Sequence, residues 1–437
     1  MLARQQAFDF GLRDHYQTLH GGHHSAVAVA TRSAAGAFQQ HVYSHDDALA
    51  VLANLAGADD MNTYLSQSGF ATPGGRRTIA QVQALTSWWV DLDHYKLPDL
   101  AALDAERLLE LALAKHPWLP LPTLLVDSGR GAYLVWAFDK PVPKDRLADW
   151  QAVEDVLVTI LADIGADKAA RDAARILRVV GSLHLVAGER VTARRVGDAV
   201  SFERMRQLVI EQAPVLAPVK TTTGYQQPVL RRIDGDGVPK IRRGTSLRPY
   251  QLALDRMSDF RRLAELRGGK LTDYRHRLLY CYAQACCWFS GSLAQLQDEL
   301  REFSETYFAG GDRYGPRQVQ TVIDRFVDDG YGKIVRLATT RDAGRYRFSN
   351  RYIISLLKIT ADEQRELGTI ISNTEKLRRL TEKRRATGMM SREQYRDRAA
   401  DRRQEARRLR SEGMTVAEIA EQLGVAHRTI YAFLRAG

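Results

Sequence analysis

The sequence predicts an α/β (α+β) domain built on a mixed or antiparallel sheet, then an all-α region, then a terminal pair of short helices. Three observations lead there. Short β-prone runs in the first half face each other across turns: 25–30 and 38–43 flank Ser33-Ala34-Ala35-Gly36, and 121–127 and 132–138 flank Ser128-Gly129-Arg130-Gly131. Past a stretch rich in Pro and Gly, apolar residues recur only at helical spacing. Residues 415–434 combine a capping signal, a central glycine and a small apolar set suited to two packed helices. A chain of 437 residues exceeds one ordinary core. The expected divisions are 1–213, a linker over 214–244, a helical domain over 245–345 and a basic terminal region over 346–437.

Within the first division, Asp46 can cap a helix through about Leu55, with Leu49, Leu52 and Leu55 along one side. Residues 62–66 read as a strand and 79–85 as a short helix. A helix over 102–115 stops before Pro117, and a longer one over 147–164 stops at Gly165, with Asp167 just beyond. The run from Ala174 to His184 is strand-like and carries two arginines and one histidine. Arg194-Arg195 and Phe202 to Val209 close the domain as a strand and a helix. After the linker, helical patterns run over 252–266, 274–289, 293–307 and 316–328.

The most informative stretch is Ser87-Trp88-Trp89-Val90 followed by Asp91-Leu92-Asp93. An apolar run ahead of Asp-x-Asp reads as a buried strand that delivers two carboxylates at its exit. Residues i and i+2 of a strand share a face, so both carboxylates project to one side and repel unless a cation lies between them. Hard oxygen ligands of this kind suit Mg²⁺ or Mn²⁺ and the phosphoryl chemistry those ions serve. The alternative is a turn capped by aspartates. The Ser128–Gly131 turn is open in the same way: an anion nest with an arginine, or an ordinary hairpin turn.

Charge is concentrated near the end of the chain. The formal net charge is +11, and between Lys376 and Arg410 fourteen Lys and Arg face five acids. That surplus is too large for i,i+4 pairing alone and points to a polyanion partner. In the last stretch Thr415 and Glu418 form a capping box, Gly424 turns the chain, and Ile419, Ala420, Leu423, Val425, Ile430 and Leu434 make a small core. The pattern is that of a helix-turn-helix whose second helix presents His427, Arg428, Thr429 and Tyr431, an unspecific helical hairpin being the alternative.

Other classes are disfavoured. No run of about 18 apolar residues exists, so no membrane span is expected. Cys281, Cys286 and Cys287 fall in one helical apolar pattern and read as core residues of a cytoplasmic protein. His20, His23 and His24 sit in a Gly-containing segment that reads as a solvated loop. No His-x-His pair suited to a nicking relaxase is present, and no Gly-x-x-x-x-Gly-Lys-Ser/Thr loop, so helicase activity would need a separate partner.

Taken in order, Asp91-x-Asp93, the Ser-Gly-Arg-Gly hairpin, Gly165-Ala166-Asp167 and Arg178-x-x-Gly181-Ser182 resemble the archaeo-eukaryotic primase superfamily, above all primase-type replication proteins of plasmids and integrative elements. The resemblance covers roughly 20–210, and the basic helix with its helix-turn-helix is similar to the tail of the same proteins. It implies a primase-like catalytic domain in which Asp91, Asp93 and Asp167 hold two divalent ions, Mg²⁺ or Mn²⁺. Ser128, Gly129, Arg130, Gly131, Tyr133, Arg178 and His184 would form the nucleotide-binding side. Tyr133 stands where the family usually has a histidine, and Val186 where it commonly has a lysine. The implied activity is DNA-dependent primer synthesis from nucleoside triphosphates on single-stranded DNA, with duplex DNA held by Arg428, Thr429 and Tyr431. The alternative is a DNA-binding replication initiator or regulator whose primase-like domain is catalytically weak.

Overall fold

Trp88, Trp89, Trp136 and Trp150 are wholly buried and mark where the core of the first half lies. The computed structural model describes residues 10–212, 248–309, 315–327, 348–388 and 392–435; the linker and the first two residues of the expected basic terminal region, Tyr346 and Arg347, fall outside them. Among the described residues the strands are β1 (Val27–Ser33), β2 (Phe38–Tyr43), β3 (Met61–Ser66), β4 (Ser68–Phe70), β5 (Val82–Leu92), β6 (Leu124–Asp127), β7 (Ala132–Pro143), β8 (Ile176–Arg178), β9 (Leu183–His184), β10 (Glu189–Arg190) and β11 (Thr192–Arg195).

They form a five-stranded sheet in the order β11-β6-β7-β5-β4, a four-stranded sheet in the order β2-β1-β3-β8, and the β9–β10 pair. Pairing within these sheets is antiparallel throughout, so the α+β class holds and the mixed sheet resolves to an antiparallel one. β5 is buried on both faces: Trp89 packs on Trp150 of the helix Leu147–Ile160, and Trp88 stacks on Phe202 of the helix Phe202–Gln212. Trp88 Nε1–H donates to Trp150 O at 3.0 Å, and Trp150 Nε1–H donates to Ser87 O at 2.8 Å. Both indoles thereby satisfy their one polar atom inside the core.

Several elements differ from expectation for physical reasons. Residues 79–85 are not a helix: a single 3-10 turn, Ile79–Gln81, leads into β5, because Ala84 and Leu85 pair with both β4 and β7. The helix His45–Leu55 is capped by Ser44, whose oxygen accepts from Asp47 N–H, while Asp46 sits in its first turn. The helix over 147–164 ends at Ile160 and is followed by a 3-10 turn to Gly165. The run 174–184 breaks into β8 and β9 around Gly181, which takes φ +88°.

The described residues divide into two compact units, Met1–Ile370 and Ile371–Gly437. In the first, helices Arg248–Leu266, Arg275–Cys286, Leu293–Tyr307, Pro316–Phe326, Asn350–Leu357 and Ala361–Glu366 accompany the α/β part. Residues up to 370 belong there because Asp259 accepts from the backbone N–H of Gly368, Thr369 and Ile370 at 2.6, 2.7 and 2.7 Å. The division at 370 therefore lies later in the chain than the expected one at 346. Helices and sheets are joined by charged contacts: Arg76 pairs with Glu305, and buried Glu299 accepts the Ile79 N–H.

In the second unit the basic stretch is two helices, Asn373–Ala386 and Arg392–Ser411, where the sequence suggested one. The helices Val416–Leu423 and His427–Arg435 follow, joined through Gly424 in the left-handed region at φ +61°. Among the described residues no helix is long and apolar enough to cross a membrane.

Candidate functional site

Asp91 lies near the exit of β5, directly across from Tyr133 on β7, and Asp93 follows the strand. The segment around Gly165 returns alongside: Asp93 N–H donates to Gly165 O at 2.8 Å, and Asp167 N–H donates to Asp91 O at 2.7 Å. Gly165 is needed here, with φ +98° and the His94 backbone 2.9 Å from where a Cβ would stand. Two distant stretches of sequence thus bring the three predicted acids onto neighbouring backbone positions.

Their fields overlap. The Asp91 carboxyl is pushed up to about 7, first by burial, then by the charges of Asp93 and Asp167, with Arg175 and Arg178 opposing. Asp93 is ion-paired with Lys96, and Asp167 Oδ1 accepts Ala169 N–H at 3.0 Å. Each of these two carboxylates is thus held by a partner close in sequence. Among the described residues no group of three His, Cys, Asp or Glu stands in ligating geometry. The backbone brings the acids together; their side chains are not converged.

A cationic and hydroxylic wall faces them. The Tyr133 side chain is buried close to Arg178, Ser128 and Asp91, and its hydroxyl is held protonated by burial first and then by Asp91. Arg178 pairs through β8 with Tyr64 and lays its guanidinium over that ring at 5.4 Å. The Ser128–Gly131 turn is largely self-satisfied: Gly129 N–H donates to Asp127 Oδ1 at 2.8 Å and Gly131 N–H to Ser128 Oγ at 3.2 Å. Its outward feature is Arg130, exposed and stacked 4.0 Å above the Tyr95 ring. Gly131 is required because the Leu92 carbonyl oxygen occupies the space of a side chain. His184 packs against Gly129, and its pKa is lowered by burial and by Arg178 and Arg130. Ser128, Gly129, Arg130, Gly131, Tyr133, Arg178 and His184 therefore lie on one rim.

Sequence reasoning assigned no role to Tyr95, Lys96, Tyr64 or Arg175. Tyr95 and Lys96 directly follow the Asp-x-Asp pair, and an aromatic-cation pair there was the available signal. Arg175 is felt by Asp91 and pairs with Asp172 at 2.6 Å, a relation no local pattern reveals.

In the second unit Ile419, Ala420 and Ile430 form the small core as predicted, with Leu423, Val425 and Leu434 packed against it, and the preceding helix adds Ala406 and Leu409, which the sequence reading did not include. The Thr415–Glu418 capping box is present in both directions. Arg428 is exposed, Tyr431 is 58% exposed, and Thr429 is half-buried.

The histidine segment is not a solvated loop. His20 and His23 are buried, because Ser25 N–H donates to His23 Nδ1 at 3.0 Å, His23 and His20 bond ring to ring at 2.9 Å, and His20 Nε2 bonds Ser66 O at 2.9 Å. The rings are held neutral, His20 well below its ordinary pKa and His23 down to about 4, by burial first.

Fold and site together define an α+β protein with antiparallel sheets, an acidic strand exit under a cationic rim, and a separate helix-turn-helix unit. Residues 397–436 match the model of a homeodomain-like domain. Over 324 residues the chain is 26% identical to a replication protein of Clostridium perfringens, spanning 72% of this chain and 69% of that one. It is thus a homologue of a replication protein. Among solved structures, the primase-polymerase domain of cyanophage S-2L is 14% identical with a TM-score of 0.35, covering 46% of this chain and 96% of that one. Primase RepB' is also 14% identical, with a TM-score of 0.31, covering 75% of this chain and 97% of that one.

Proposed function

We propose that this protein is a DNA-dependent primase or primase-polymerase that starts replication of a plasmid or other mobile element. The observation that carries the reading is the overlap of three carboxylate fields at Asp91 beneath a rim bearing Arg130 and Arg178. Asp91, Asp93 and Asp167 offer oxygen donors only, which fits Mg²⁺ or Mn²⁺. Ions held there would ease deprotonation of a 3′-hydroxyl and neutralise triphosphate charge as pyrophosphate leaves.

The chain's own groups do the positioning. Arg178, laid over the Tyr64 ring and close to Tyr133, presents its guanidinium to phosphate oxygens. Arg130 approaches from the hairpin, steadied on Tyr95. Tyr133 contributes a neutral hydrogen bond where a histidine could carry charge. His184, its pKa lowered, serves as a neutral donor or acceptor on the same rim. Catalysis would rest on orientation and electrostatics. Single-stranded template crosses this site, while Arg428, Thr429 and Tyr431, with the phosphate-attracting basic helices, hold duplex DNA. Strand separation falls to a separate helicase.

The test is incorporation of labelled nucleotides on single-stranded DNA with Mg²⁺ or Mn²⁺, comparing the natural protein with Asp91→Ala/Asp93→Ala. Unprimed products that vanish in the variant support a primase. Extension only from a supplied primer makes it a polymerase first. No product from either protein, with tight duplex binding, favours the initiator or regulator reading.

A further inference from the structure

The helical region grips the segment that carries Asp167 at two points. Asp167 is followed by a tight turn: its Oδ1 accepts Ala169 N–H at 3.0 Å, and its carbonyl accepts Ala170 N–H at 3.1 Å. On the sheet side, Trp89 Nε1–H fastens this turn by donating to Ala170 O at 2.7 Å. On the helical side stands Gly291, between the helices Arg275–Cys286 and Leu293–Tyr307. A Cβ at Gly291 would collide with the Ala169 carbonyl oxygen and lie 3.1 Å from Asp172 Oδ2. Gly291 cannot swing aside freely, since its N–H donates to Gln295 Oε1 at 3.0 Å.

The second grip is a buried hydrogen-bond chain. Tyr250, near the start of Arg248–Leu266, donates its hydroxyl to Asp155 Oδ2 at 2.6 Å. Asp155 Oδ1 in turn accepts from Arg171 at 2.7 Å, and Gln151 Nε2 donates to Arg171 O at 2.7 Å. Arg171 lies four residues beyond Asp167 in the same segment.

We infer that Gly291 and Tyr250 are positioning residues through which the helical region sets the Asp167 carboxylate. The residue whose carbonyl Gly291 abuts is the one whose N–H orients Asp167. Displacing Ala169 displaces that N–H, and the carboxylate follows. This rests on the reading of Asp91, Asp93 and Asp167 as a cation site, and adds that the site's geometry depends on helices far along the chain.

The test is Mn²⁺ affinity of the full chain by electron paramagnetic resonance, for the natural protein, Gly291→Ala, Tyr250→Phe and Asp91→Ala/Asp93→Ala. Thermal midpoint and duplex-DNA binding are measured alongside. Gly291→Ala is expected to weaken Mn²⁺ binding about tenfold, the effect of disturbing a residue that orients a ligand. Tyr250→Phe keeps the ring and removes one hydrogen bond, so it is expected to weaken binding about threefold. Duplex binding stays unchanged in both. If Gly291→Ala does not fold, Tyr250→Phe alone decides. Natural Mn²⁺ affinity in the folded variants, with affinity lost in the double aspartate variant, overturns the positioning role and leaves the cation site standing. Mn²⁺ that binds the natural protein no better than the double variant overturns both.

Discussion

The histidines against β3 and the carboxylates at the end of β5 are both clusters of titratable groups in one unit, and they reach opposite electrostatic ends. Around His20 the donors and acceptors close into a chain, Ser25 to His23 to His20 to Ser66. With His23 Nδ1 accepting, its Nε2 carries the proton and donates to His20 Nδ1, so His20 donates from Nε2. Both rings are fully used while neutral. Around Asp91 three acids are drawn together, and burial raises the carboxyl to about 7. A cluster whose polar atoms satisfy one another holds the fold together. A cluster left with like charges in one field keeps interaction energy for a ligand of opposite sign.

The contrast can be broken from either side. Asp91→Asn removes a crowded negative charge, so the thermal midpoint is expected to stay or rise while incorporation falls at least about 10³-fold, several kcal/mol of lost cation assistance. A midpoint that drops sharply would make this acid a structural one. His20→Ala should do the reverse: urea unfolding shows a loss of about 3 kcal/mol from a cavity and two stranded partners, while incorporation per folded molecule is unchanged.

Smaller effects sharpen the same comparison. Tyr133→Phe removes a buried hydroxyl beside Arg178, and steady-state kinetics should show KM for the incoming nucleotide rising about tenfold with little change in stability. The weakest effect is the pH response of the histidines. His15 and His23 are lowered to about 4 from an ordinary 6.5 by burial. The unfolded chain therefore binds protons that the folded one refuses. Their contribution is complete above 6.5 and drains away as pH falls toward about 4, by about 1 kcal/mol for each over the first unit. Thermal midpoints across that range check it; a flat profile would mean the rings are not held neutral.

How much was legible depended on how local the signal was. The β1–β2 and β6–β7 hairpins, the acid-bearing strand and the Thr415–Glu418 box are written in neighbouring residues, and each was readable. The failures have one cause. Residues 79–85 carry enough apolar spacing for a helix, but Ala84 and Leu85 find partners on both sides in the sheet. His20 and His23 look solvated beside two glycines until Ser66, over forty residues away, supplies an acceptor. Tyr64 and Arg175 gained meaning only when β3 and β8 paired and the turn after Asp167 folded back.

By itself, then, the sequence determined the α+β class, the helical second half, the terminal helix-turn-helix and the strand that carries Asp91, because periodicity, capping and strand patterning act over a few residues. Tertiary structure alone decided which polar groups are spent and which remain. Asp167 reaches Asp91 through a backbone bond spanning more than seventy residues, and Ala169 meets Gly291 from more than a hundred residues away. Charge and hydrogen bonding act through space, and only the folded chain sets those distances.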